Sequence, residues 1–154
     1  MSAPAKPLSN KPLSKQRLRL WLRMLSAHRG IEMHLREQLR LSHDSTLPRF
    51  DVMSALDRYR DGLRMSDLSA RLKVSNGNVT GIVERLASEG LVERVAVDGD
   101  RRAMCVRLTP AGIDRFADMA RNHETWVNDR LSAFTEDELI TLITLLDRIG
   151  EIHE

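Results

Sequence analysis

The feature that most constrains this 154-residue chain is a fixed set of apolar positions between Met65 and Ile82. Counting Met65 as the first, Leu68, Leu72, Val74, Val79 and Ile82 fall at the fourth, eighth, tenth, fifteenth and eighteenth positions. Two short helices locked at a steep angle need apolar residues at such offsets, and a small residue such as Ser69 lets them approach. The spacing predicts one helix from Met65 to Leu72 and a second from Asn76 to Glu89. Ser75 would cap the second, which would end at Gly90. Lys73 stands at the ninth position, where many such motifs carry glycine.

On the second helix the residues left facing outward are Asn76, Gly77, Asn78, Thr80, Gly81 and Arg85. Short polar side chains beside a glycine pair suit a helix laid in a major groove, where Asn, Ser and Thr bond base edges and phosphates. An ordinary helical hairpin with a polar outer face would share this spacing. The stretch of chain after the second helix separates the two. Val92 to Val97 and Ala103 to Leu108 read as strands joined at Asp98-Gly99, a pair that favours a tight hairpin. Arg101 and Arg102 sit at its tip, where an arginine can enter a minor groove. Asp100 can hold one guanidinium in a bidentate pair. Taken alone, the two arginines would be a solubilised turn.

The remaining chain adds helices on both sides. Residues 1–13, with Pro4, Pro7 and Pro12, read as a flexible arm. Residues 14–45 read as a long helix with Leu18, Leu22, Leu25, Met33, Leu35 and Leu39 at helical intervals, interrupted at Gly30, and a polar loop over 42–46. Pro48 opens a helix expected to bury Phe50, Met53, Leu56 and Tyr59. Thr109-Pro110 starts another, with Ile113, Phe116, Met119 and Trp126 on one side. Thr135 to Glu138 is a capping box for the last helix, which carries Leu139, Leu142, Ile143, Leu146, Ile149 and Ile152. The fold class expected is mainly α with a small β-hairpin. A winged helix-turn-helix over 46–109 is flanked by N-terminal helix 14–45 and C-terminal helices 110–154.

Composition narrows the class but does not carry it. No apolar run reaches the roughly 18–20 residues of a membrane span. The N-terminus lacks the apolar core of a secretory signal, and the lone Cys105 excludes an internal disulfide, so a cytoplasmic protein is expected. Net charge is +2. Met1 to Leu41 holds nine Lys/Arg against two Asp/Glu, whereas Pro110 to Glu154 holds four against ten. The middle is nearly neutral, so nucleic-acid binding rests on the motif rather than on charge. No phosphate loop, dinucleotide fingerprint, zinc-protease or nucleophile-elbow motif is present, and no enzyme activity and no cofactor are expected.

The chain resembles the MarR family of winged-helix regulators. The resemblance runs through Leu68-Ser69-Ala70-Arg71-Leu72, Val79-Thr80-Gly81-Ile82-Val83-Glu84-Arg85-Leu86 and Glu89-Gly90-Leu91-Val92-Glu93-Arg94. It continues through Asp100-Arg101-Arg102 to Val106-Arg107-Leu108-Thr109-Pro110-Ala111-Gly112. Gly99 departs from the proline often found in the wing turn, and Gly81 from a longer polar residue. The resemblance implies a homodimer whose first, fifth and sixth helices intertwine with those of a second subunit. Two recognition helices would then sit about 34 Å apart on a palindromic double-stranded operator. Ser75, Asn76, Asn78, Thr80, Gly81, Arg85, Asp100, Arg101 and Arg102 are the expected DNA contacts. Alternatives are a structural or non-specific DNA-binding protein, or an effector-independent regulator.

The resemblance also implies release, most commonly of a repressor, by a small aromatic acid or related effector. Trp21, Met24, His28, Arg29, Arg49, Phe50 and Met53 are its candidate contacts; taken one at a time, Trp21, Phe50 and Met53 read better as hydrophobic core. Thr46 to Met53 and Val74 to Gly81 resemble regulators of aromatic catabolism that sense hydroxycinnamoyl-coenzyme A thioesters. Cys105 is expected to be structural, because redox-sensing members carry a cysteine near the first helix. His28 and Glu32, four apart with His34 nearby, are expected to make a polar contact rather than a metal site.

Overall fold

The computed structural model describes residues 12–72, 76–97 and 99–150, with the side chains of Asn76, Gly77, Arg101 and Arg102 outside that description. Residues 1–11 of the expected arm, together with Lys73, Val74, Ser75, Asp98 and Ile152, lie outside the described residues. The elements in chain order are α1 (Leu13–His43), α2 (Leu47–Arg58), β1 (Leu63–Arg64), α3 (Met65–Leu72), α4 (Asn76–Ser88), β2 (Val92–Val97), β3 (Asp100–Leu108), α5 (Pro110–Leu131) and α6 (Glu136–Gly150). The chain divides into two compact units, the first ending at His34 and the second beginning at Leu35.

In the first unit α1 runs unbroken through Gly30, contrary to the interruption expected there. One glycine costs a helix roughly 1 kcal/mol, which a long helix absorbs. This part of α1 exposes Leu18, Trp21, Leu22 and Met33. His28 Nε2 lies 3.3 Å from Glu32 Oε2, the polar contact expected of that pair.

In the second unit α2 is the hub and packs against α3, α4, α5 and β3. Its start is fixed by Thr46, whose Oγ1 accepts the Arg49 amide at 3.3 Å, with Pro48 in the first turn. Phe50, Val52, Met53 and Leu56 are buried, so α2 is covered on more than one side. Tyr59 is not buried as expected. It lies in the irregular turn that ends α2, and the Arg71 guanidinium covers one face of its ring at 4.1 Å. The polar loop expected from Ser42 begins later, because helix continues to His43 and turns at Asp44, where φ is +46°.

The sheet is antiparallel with strand order β1-β3-β2. β2 pairs with β3 from Val92↔Leu108 to Val97↔Asp100, with a bulge between Ala96 and Val97. β3 thus starts at Asp100 rather than Ala103, extending the wing. β1, which the sequence pattern does not reveal, pairs Leu63 with Val106 and Arg64 with Cys105. Val106 and Leu108 face the core, while Cys105 is free and half-buried.

α5 opens on Thr109, whose Oγ1 accepts the Gly112 amide at 3.0 Å, and it buries Phe116 and Met119. α6 opens on the expected capping box. The Thr135 amide donates to Glu138 Oε2 at 2.9 Å, and the Glu138 amide donates to Thr135 Oγ1 at 3.4 Å. No residue of α6 is buried, and Ile140, Leu142, Ile143, Leu145, Leu146 and Ile149 stand exposed. No helix among the described residues is long and apolar enough to cross a membrane.

Candidate nucleic-acid interface

Helix α4 is pinned from behind and open in front. Val79, Val83 and Leu86 are fully buried, at the three- and four-residue steps of one helix face. They carry more of the packing than Ile82, which is half-buried at the margin of that face. On the opposite side Asn78, Gly81 and Arg85 are exposed and form one stripe along the helix. Thr80 is half-buried, between the two faces. Asn76 begins α4 with its side chain outside the description, and Ser75 precedes the described part.

The far end of α4 is held by two devices. The Leu91 amide donates to the Leu86 carbonyl at 3.0 Å and the Gly90 amide to the Ala87 carbonyl at 3.0 Å, the paired bonds of a Schellman cap. Beside this cap, Glu89 takes a two-pronged pair from Arg49 of α2, one prong at 3.0 Å from Nη1 and the other from Nη2. Arg85 approaches the same carboxylate at 3.8 Å. The Arg49 hydrogen bonds hold the Glu89 carboxyl below the usual glutamate range against its partial burial, and the charges of Arg49, Arg85 and Arg115 act in the same direction.

Sequence reasoning missed this pair, since forty residues separate Arg49 from Glu89 and no periodicity links them. Arg49 is also one of the effector contacts that the resemblance suggests. Phe50, from the same set, is buried between Phe116, at 5.4 Å between ring centroids, and the stacked ring of His123 at 4.5 Å. Met53 is a fully buried core residue. In the first unit, Trp21, His28 and Arg29 are exposed and Met24 is half-buried.

The wing comes directly after this cap. Gly99 adopts φ +83° in the turn, and Asp100 is exposed where β3 begins. Arg101 and Arg102 are the next two residues of β3. At the base of the wing Arg107 bonds Glu93 across the strands at 2.7 Å. No group of three or more His, Cys, Asp or Glu that could hold a metal ion occurs among the described residues.

Two helices with an open second face, continued by a three-stranded wing, can be set against known proteins. The protein is 32% identical to a MarR family transcriptional regulator from Silicibacter pomeroyi of known crystal structure, over 94% of this chain and 100% of that one, with a TM-score of 0.78. The chain belongs to the MarR family.

A sequence profile of the MarR family matches residues 43–103, from the end of α1 into the wing. The HTH-type transcriptional regulator MhqR of Bacillus subtilis (strain 168) is 24% identical over 139 residues, covering 90% of this chain and 94% of MhqR. A mutant of MarR from E. coli, crystallised in complex with operator DNA, shares the fold at a TM-score of 0.74 and 24% identity, over 90% of this chain and 99% of that one. This MarR family member is a DNA-binding transcription regulator with a winged helix fold, and not an enzyme.

Proposed function

We propose that the protein is a repressor that binds a palindromic operator as a homodimer and is released by a small aromatic acid or an aromatic acyl-coenzyme A thioester. The observation that carries the operator reading is the exposed stripe of Asn78, Gly81 and Arg85 on a helix fixed from behind by Val79, Val83 and Leu86. In this reading Ser75, Asn76, Asn78, Thr80, Gly81 and Arg85 meet the major groove, and Asp100 holds one of Arg101 and Arg102 while the other enters the minor groove. The dimer is supported by α6, whose residues Ile140, Leu142, Ile143, Leu145, Leu146 and Ile149 stand exposed among the described residues.

The effector reading assigns contacts to Trp21, Met24, His28, Arg29, Arg49, Phe50 and Met53. An effector anion that drew Arg49 away from Glu89 would loosen the end of α4, which gives the ligand a direct route to the recognition helix. A second reading, regulation without an effector, is favoured by the commitment of Arg49 to Glu89 and of Phe50 and Met53 to the core.

The test has two stages. The protein is offered the DNA upstream of its own gene under excess random duplex; a specific regulator stays bound, and loss to competitor would refute the operator reading. Aromatic acids and their coenzyme A thioesters are then titrated into the complex. Release by one of them supports the effector reading, and retention throughout the panel supports the second.

A further inference from the structure

A cleft of about 300 Å³ lies between the first turn of α2 and the outward stripe of α4, lined by Thr46, Arg49, Asn78, Gly81, Ile82 and Arg85. We propose that in each half-site this cleft receives one phosphate of the operator backbone, with Arg85, Asn78 and the Thr46 hydroxyl as donors and Arg49 as a fixed charge behind them. The proposal rests on the reading of α4 as the recognition helix and adds α2 to the DNA-binding surface.

Size and chemistry point to a phosphate. The volume stands at the lower limit of small-molecule pockets, too small for an aromatic thioester but ample for one tetrahedral oxyanion. Thr46 Oγ1 already accepts the Arg49 amide, so its own hydrogen is available to donate. Asn78 is exposed and offers two further N–H groups. The Arg85 side chain is 76% exposed and meets Glu89 only at 3.8 Å, so it can swing toward an anion. Arg49 and Arg85 set against Glu89 leave the cleft with an excess positive charge. A Cβ on Gly81 would meet nothing within 4 Å, so the missing side chain leaves the mouth of the cleft open.

Position makes the phosphate one of DNA. A helix lying in a major groove has a sugar-phosphate strand along each flank, and contacts to those strands fix its register. This cleft shares Asn78, Gly81 and Arg85 with the base-facing stripe. A phosphate held there would set both the depth and the rotation of α4. Arg49 ties α2 to the Glu89 end of the same helix, so the cleft keeps its shape as the DNA docks.

The test neutralises phosphates one at a time. The wild-type protein first selects a duplex from a random pool. Each backbone phosphate of that duplex is then replaced singly by an uncharged methylphosphonate, and binding is followed by fluorescence anisotropy. At one phosphate per half-site the replacement should weaken wild-type binding at least tenfold, and at that phosphate alone the penalty should shrink severalfold in Arg85→Gln. The salt slope of this variant should fall by about one per half-site. Thr46→Asp keeps a good helix cap while putting a carboxylate in the cleft, and should bind at least tenfold more weakly while melting like the wild type. Uniform penalties at every phosphate, or wild-type affinity in a folded Thr46→Asp protein, would overturn the phosphate site alone. A wild type that selects no duplex would overturn the operator reading as well.

Discussion

Gly112 of α5 lies so close to Leu91 that a Cβ on it would stand 1.9 Å from the Leu91 carbonyl oxygen. The contact joins the turn after α4 to the first turn of α5, and Thr109 binds the same junction from both sides. Its amide donates to the Leu91 carbonyl at 3.1 Å, and its hydroxyl donates to the Gly90 carbonyl at 2.6 Å. No side chain can yield here, because the obstructing atom is backbone. Gly112→Ala should therefore cost about 1–3 kcal/mol, the usual range for overpacking, read as a lowered urea midpoint. A variant as stable as the wild type would mean that the junction is looser than this contact implies.

The Arg49–Glu89 pair predicts an asymmetry between its two ends. Arg49 is largely buried, at 14% exposure, whereas Glu89 is 39% exposed. Solvent screens the carboxylate, so the attraction itself is worth little, on the order of 1 kcal/mol or less. Removing the carboxylate alone strands a buried guanidinium, which costs more than removing both charges. Glu89→Gln should thus be less stable than the double variant Arg49→Met/Glu89→Gln at neutral pH. The pair also has a pH signature. A carboxyl held below its usual value of 4.5 contributes stability above that value and loses it as pH falls through the folded pKa. The gap between wild type and Glu89→Gln in denaturant melts should narrow below about pH 4.5, and a gap unchanged with pH would refute the ionic account.

Two imidazoles predict acid sensitivity in a different window. Burial lowers the His43 pKa first and Arg115 adds to it, with Asp118 opposing. Burial also lowers His123, with Asp51 opposing. His43 Nε2 meets Asn122 Nδ2 at 2.9 Å and its ring packs edge-on against Trp126, while His123 stacks on Phe50. A histidine with a lowered folded pKa binds protons more readily when unfolded. Stability is therefore full above the ordinary value of 6.5 and declines as pH falls below it, until the folded pKa values are passed. The melting temperature should drop between pH 7.5 and 5.5, and His43→Gln/His123→Gln should flatten that slope. An equal slope in the double variant would place the acid sensitivity elsewhere.

The sequence carried the helices and the wing because periodicity and caps are local. Pro48, Thr109-Pro110 and the Thr135–Glu138 box each mark a helix start that the structure reproduces, whereas Thr46, read as loop, proves to cap α2. The outward stripe of α4 was legible for the same reason, since a helix face is set by spacing alone. Contacts between elements were not legible. β1 has two residues, too few to show alternation, and exists because Leu63 finds Val106 more than forty positions away. Phe50, taken alone, reads better as core than as ligand contact, but its partners Phe116 and His123 are not visible in local pattern. The cleft beside α4 needed Thr46 and Arg49 brought to Asn78 and Arg85, a tertiary fact with no trace in local pattern.

The exposed face of α6 makes the proposed dimer testable without disturbing the fold. Ile143 is 59% exposed and Leu146 51% exposed, so replacing both with aspartate removes little packing within one chain. Clustered exposed apolar residues commonly mark interaction surfaces, and the proposed dimer would use this one. Ile143→Asp/Leu146→Asp should keep its helical circular dichroism and melting cooperativity yet sediment as a monomer. Operator affinity should then fall by about 10²–10⁴-fold, because each half-site must be bound without the effective concentration supplied by a linked partner. Affinity for an isolated half-site, measured on a duplex carrying one arm of the palindrome, should hardly change. Equal losses on both duplexes would mean that α6 supports the recognition unit itself, and a variant that still sediments as a dimer would move the interface off this face.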